Sequence, residues 1–147
     1  MPRILILYYS RTGNTERMAE AVGEGARTIQ GIEVELKYDA APEELTNFDT
    51  LAVGIPTYHH DMTAGIKSLF EEAAVKNISL RNKVGAAFGS YGWSGEAPRL
   101  VLEIMKNKFE MRVMEHPLLI KYGPDQTGLE RCSEFGRRIA EACMLPT

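Results

Sequence analysis

The sequence predicts an α/β fold, one layer of mostly parallel strands with helices on both faces, made as a single domain over residues 1–147. Three observations carry that prediction. Short apolar runs of strand character alternate with segments whose apolar residues recur at helical spacing, strand then helix, along the whole chain. The runs Arg3–Tyr9, Leu51–Ile55 and Val84–Phe88 are continuously apolar after the opening Arg3, as strands buried on both faces must be. No repeat, low-complexity tract or linker breaks the series, and 147 residues are enough to bury roughly two-thirds of the unfolded surface in one core.

Each element has its own signature. After the first strand, Met18, Ala19, Val22, Ala26 and Ile29 mark a helix over Thr15–Ile29, with Gly31 as its stop. Ile32, Val34 and Leu36 alternate with charged residues, which suits a strand near a sheet edge. Asp39–Asp49 reads as a loop with one helical turn, and Leu51–Ile55 as a strand closed by Pro56. Ile66, Leu69, Phe70 and Ala73 define the second helix. Val84–Phe88 is the fourth strand, and Pro98 then stands where the first turn of a third helix tolerates it. Leu100, Val101, Ile104, Met105 and Phe109 follow at helical spacing. Val113–Ile120 is a fifth strand made irregular by His116 and Pro117, and Leu129, Cys132, Phe135, Ile139 and Cys143 mark the last helix.

The composition excludes several classes of function. Twenty acidic against 17 basic residues give a net charge of −3, with no broad basic surface for nucleic acid. No apolar run approaches the length of a membrane span, and no small-residue cleavage site follows MPRILILYY, so a cytoplasmic protein beginning at Met1 is expected. Cys132 and Cys143 lie on one helix, about 16 Å apart at ~1.5 Å per residue, too far for a disulfide. They are expected to be buried thiols on one face.

In open parallel sheets, ligands bind beyond the carboxyl ends of the strands. Three loops stand there. Ser10–Thr15, SRTGNT, leads into a helix whose free N–H groups and partial positive charge suit an anion. Ser10, Thr12 and Thr15 add hydroxyls, and Gly13 lets the backbone come close. The loop lacks the Gly-Lys-Ser/Thr ending of a nucleoside-triphosphate site and the G-x-G-x-x-G of a dinucleotide site, so a phosphate monoester fits best. Pro56–Met62, PTYHHDM, offers Tyr58, His59 and His60 to a planar ligand, without the further ligands a metal site needs. Gly89–Pro98, GSYGWSGEAP, sets Trp93, the chain's only tryptophan, among Tyr91, Gly89, Gly92 and Gly95. Together they describe a planar redox cofactor with one phosphate.

On these motifs the chain resembles the short-chain flavodoxins. SRTGNT is similar to their FMN phosphate loop, and GSYGWSGEA is closest in wording to the flavodoxin-like domain of A-type flavoproteins, the flavodiiron proteins. The resemblance implies a three-layer sandwich with five parallel strands in the order 2-1-3-4-5. It implies non-covalent FMN with its phosphate on Ser10, Arg11, Thr12, Gly13, Asn14 and Thr15. The ring would lie on Pro56, Thr57, Tyr58 and His59 from the second loop and on Ser90, Tyr91, Gly92, Trp93 and Gly95 from the third, with Tyr122–Pro124 as a further contact. The function implied is electron transfer between redox proteins, donor and acceptor, rather than an enzyme activity of its own; the metal-binding domain of the flavodiiron proteins has no counterpart in these residues.

Two departures from the family stand out. Many flavodoxins place a glycine in the second loop, whose peptide turns to meet the half-reduced ring, whereas Thr57–Met62 contains none. Taking a non-glycine residue to positive φ costs about 1 kcal/mol or more, so the neutral half-reduced state is expected to be scarce. Stepwise photoreduction followed in the visible checks this, and an abundant blue species would contradict it. The net charge is also less acidic than is usual, with Arg11, His59, His60, Arg99 and Lys121 near the ligand end. Within the same fold, an FMN-dependent NAD(P)H:quinone or flavin reductase is the rival, and a phosphate- or nucleotide-binding sensor is the rival of another class. A receiver-type signalling domain is excluded, since Ser10-Arg11 and Pro56-Thr57 replace its acidic residues.

Overall fold

The computed structural model describes residues 1–10, 13–57, 63–92 and 94–145. Its elements are β1 (Arg3–Tyr8), α1 (Asn14–Ala26), β2 (Glu33–Lys37), a 3-10 helix (Pro42–Asn47), β3 (Thr50–Gly54), α2 (Ala64–Val75), β4 (Val84–Tyr91), α3 (Glu96–Asn107), β5 (Arg112–Val113), β6 (Leu118–Lys121) and α4 (Gln126–Met144). The sheet order is β2-β1-β3-β4-β5, and β6 also pairs with β4. Every pairing is parallel. All strands therefore end at one edge, where the three loops gather.

Alternation along β1 divides the core. Leu5 and Leu7 face α2 and α3, packing with Val53, Ile66, Phe70, Val101 and Met105. Ile4 and Ile6 face α1 and α4, with Met18, Val22, Phe88, Phe135 and Ile139. Successive side chains of a strand point to opposite faces, so one apolar run supplies both layers. The edge strand β2 is wetter, as its alternating charges require: Arg3 reaches Glu33 at 3.2 Å, and Lys37 reaches Glu44 at 2.7 Å.

The helices α1 and α4 touch backbone to backbone. A Cβ built on Gly25 would stand 1.8 Å from the carbonyl oxygen of Ser133, and one on Gly136 would stand 1.9 Å from that of Val22. The two glycines are what lets α4 lie so close against α1, the helix that opens behind Gly13.

Two strands differ from expectation. The fourth strand runs on to Tyr91 instead of ending at Phe88, because β6 pairs along Phe88–Tyr91 and extends its ladder. The fifth is split into β5 and β6, with Met114–Pro117 between them. Pro117 has no N–H to give to a ladder, which accounts for a break at this point. The first helix is shorter than its apolar spacing suggested: it ends at Ala26, and Gly31 takes φ +85° in the turn that follows. Cys132 is fully buried and Cys143 half-buried on α4, both as free thiols. Burial pushes the Cys132 thiol up to about 11 and raises that of Cys143, so both are protonated and unreactive at neutral pH.

Candidate functional site

The first loop is built around one left-handed residue. Gly13 has φ +92° and caps α1 without any side-chain hydrogen bond to the helix. The first intrahelical bond runs from the Arg17 N–H to the Gly13 carbonyl at 3.0 Å. By helix geometry the N–H groups of Asn14, Thr15 and Glu16 precede it and have no acceptor in the helix. Ser10 shapes the bend, its Oγ accepting the Gly13 N–H at 3.0 Å and keeping its own hydrogen to donate.

Thr15 and Ser90 join the first loop to the third. Their hydroxyls lie 3.2 Å apart, in residues 1% and 7% exposed. Ser90 and Tyr91 belong to β4 itself, so the third loop proper begins at Gly92. Thr57 joins the second loop to the third, its Oγ1 accepting the Ala97 N–H at 3.0 Å. The last strand brings in a fourth segment: the Tyr122 N–H donates to the Tyr91 carbonyl at 2.6 Å, and Arg17 donates to the Pro124 carbonyl at 3.1 Å. Gly123 lies beside the Asn14 side chain.

Of the residues singled out from sequence, Ser10, Gly13, Asn14, Thr15, Pro56, Thr57, Ser90, Tyr91, Gly92 and Gly95 thus stand on converging segments at one end of the sheet. Arg11, Thr12, Tyr58, His59 and Trp93 lie outside the described residues, as do His60 and Asp61 and the glycine-free part of the second loop. Among the described residues, no cluster of His, Cys, Asp and Glu suits a metal ion.

Sequence reasoning missed one feature of this end. A cleft of about 530 Å³ runs beside Ser10 and the first turn of α1, lined by Tyr8, Tyr9, Ser10, Glu16, Tyr38, Pro56 and Thr63. Burial holds the Tyr8 phenol above the ordinary tyrosine range, reinforced by Glu16 and Glu20. Burial does the same for Tyr9, with Asp39 beside it. Both therefore stay protonated, as hydrogen-bond donors, at neutral pH. The signal was present in Tyr8-Tyr9 at the end of the first apolar run, but it read there simply as strand.

The flavodoxin family model matches residues 6–136. The chain is 40% identical over 145 residues to the type A flavoprotein fprA of Rhodobacter capsulatus, covering 94% of this chain and 32% of that protein. It is 38% identical over 146 residues to the anaerobic nitric oxide reductase flavorubredoxin of Escherichia coli, covering 94% of this chain and 29% of that protein. It thus spans less than a third of the length of these curated relatives. Among solved structures, a flavodoxin from the domain Archaea superposes with a TM-score of 0.87 at 36% identity, over 97% of this chain and 99% of that one. Flavodoxin 1 from Bacillus cereus, at 23% identity and a TM-score of 0.85, shares the fold.

Proposed function

The chain belongs to the flavodoxin family of FMN-binding electron carriers, and from that premise we propose that it shuttles electrons between separate redox proteins on one non-covalently bound FMN. The observation that carries the reading is the open N-terminus of α1. Its cap is a left-handed glycine with no side-chain hydrogen bond to the helix, and the buried Thr15–Ser90 hydroxyl pair sits beneath it. Free N–H groups, a helix dipole and small hydroxyls fit a phosphate monoester, whose charge they would neutralise without a lysine.

In this reading residues 1–147 form one FMN-binding domain. Ser10 to Thr15 hold the phosphate, Arg11 and Thr12 among them. Pro56, Thr57, Tyr58 and His59 flank the ring on one side, and Ser90, Tyr91, Gly92, Trp93 and Gly95 on the other. When bound, FMN supplies the redox chemistry, and the protein's part is to orient the ring, exclude water from it and set the charge around it. Tyr58, Trp93, Asp61 and Glu96 are the groups assigned to that last task. Electron-rich faces and carboxylates disfavour added negative charge, which lowers the potential of the final electron.

We assign the chain no catalysis of its own. Its donor and acceptor are redox proteins, and in the longer relatives the corresponding domain is part of one chain with the rest of the protein. We place it in the cytoplasm, where two free thiols would stay reduced. No helix among the described residues is long and apolar enough to cross a membrane. The family match favours the carrier over the reductase and sensor alternatives.

The purified protein should be yellow and release one equivalent of FMN on denaturation. Supplied with NADH or NADPH alone, it should oxidise neither faster than free FMN does. A colourless protein that takes up no FMN would overturn the reading, and rapid partner-free NAD(P)H oxidation would replace the carrier with a reductase.

A further inference from the structure

Three of the four helix N-termini at the ligand end, those of α1, α3 and α4, are finished in three different ways. That of α1 is left open behind Gly13. That of α4 is closed by its own cap, Asp125, whose Oδ1 accepts the Gly128 N–H at 2.7 Å. The third, α3, begins behind Gly95, which has no side chain to cap with, and its third residue is Pro98, which has no N–H. Between them lies Ala97, fully buried, whose N–H would be costly to leave unpaired. It is met by the Thr57 hydroxyl, 40 residues away in sequence.

Thr57 is therefore the cap that α3 lacks, supplied from another loop. It follows Pro56 at the end of β3, while Ala97 opens the helix that ends the third loop. The hydrogen bond spans the two segments assigned to the two sides of the ring. It also uses up an α3 donor, whereas the start of α1, beside the Thr15–Ser90 pair, has no side-chain cap.

We propose that Thr57 is a positioning residue: by capping α3 from the end of β3, its hydroxyl fixes the spacing between the end of β3 and the start of α3, from which the two ring-holding segments spring, and so sets affinity for the flavin ring independently of affinity for the phosphate. The proposal rests on the FMN reading above. A hydroxyl is needed and the γ-methyl is not, so Thr57→Ser preserves the function while the near-isosteric Thr57→Val abolishes it.

The test measures dissociation constants of the native and variant proteins for FMN and for riboflavin, which has the ring without the phosphate, together with the visible circular dichroism of the bound flavin. Thr57→Val should weaken both ligands by a similar factor, about tenfold, and alter the dichroism. Thr57→Ser should restore both. If Thr57→Val does not fold, Thr57→Ala is compared with Thr57→Ser in its place. A variant without the hydroxyl that binds both flavins as the native protein does, with unchanged dichroism, would overturn the proposal. So would a loss confined to FMN, or a loss that serine fails to repair. Native protein that binds neither flavin would instead sink the functional reading, and this proposal with it.

Discussion

Gly136→Ala should cost the fold about 2–3 kcal/mol for a single added methyl group. The new Cβ would lie 1.9 Å from the Val22 carbonyl oxygen, well inside the 3.0 Å that real Cβ atoms respect. The neighbour is backbone, so no rotamer change can relieve the contact, and α1 and α4 must move apart. Alanine's better helix propensity returns about 1 kcal/mol at most. Urea unfolding should show a lower midpoint at an unchanged slope. FMN affinity should fall as well, since α1 carries the phosphate loop. Glu24→Ala, on the exposed face of α1, is the control and should stay within about 0.5 kcal/mol of the native protein. A Gly136→Ala protein as stable as the native one would show that the helices do not meet as described.

The second large effect concerns the ligand. Riboflavin should bind about a hundredfold more weakly than FMN, because it forgoes charge-assisted hydrogen bonds worth about 3 kcal/mol in total. Gly13→Val should remove much of that difference. Nothing stands within 4 Å of a Cβ at this position, so space is not the obstacle. The obstacle is φ +92°, which a β-branched residue occupies only under strain of about 1–2 kcal/mol. The variant should lose about tenfold in FMN affinity while riboflavin binding stays nearly constant. Fluorescence-quenching titrations with both flavins measure this, and an equal loss for both would take the phosphate away from Gly13.

How much of this was legible in the sequence depends on how local each cause is. The apolar run of β1 and the helical spacing of Met18, Ala19 and Val22 are local, and each led to its element within a few residues. So did the parallel sheet, since strand–helix alternation leaves few other topologies. The end of β4 was not legible, because Gly89 to Tyr91 are strand only by virtue of β6, some thirty residues further on. The split of the fifth strand was half legible: Pro117 marked the irregularity but not that pairing would resume at Leu118. At the site, Gly13 and Thr15 were identified from residue type alone. The role of Thr57 was not, since its partner, Ala97, is a backbone N–H that no residue pattern reveals. Tyr8 and Tyr38 went unremarked because they approach each other only once β1 and β2 are laid side by side.

The charged margin of the sheet bears on how such a domain is reused. An edge strand with free N–H and C=O groups is a template for another chain, and long apolar edges lead to aggregation. Here one edge is β2, where Glu33, Glu35 and Lys37 alternate beside Arg3, and the other is divided into strands of two and four residues. Neither is long and apolar enough to recruit a stray strand. A sheet guarded in this way suits a freely diffusing protein, the size of the archaeal flavodoxin it superposes on, and equally a module joined within chains more than three times as long.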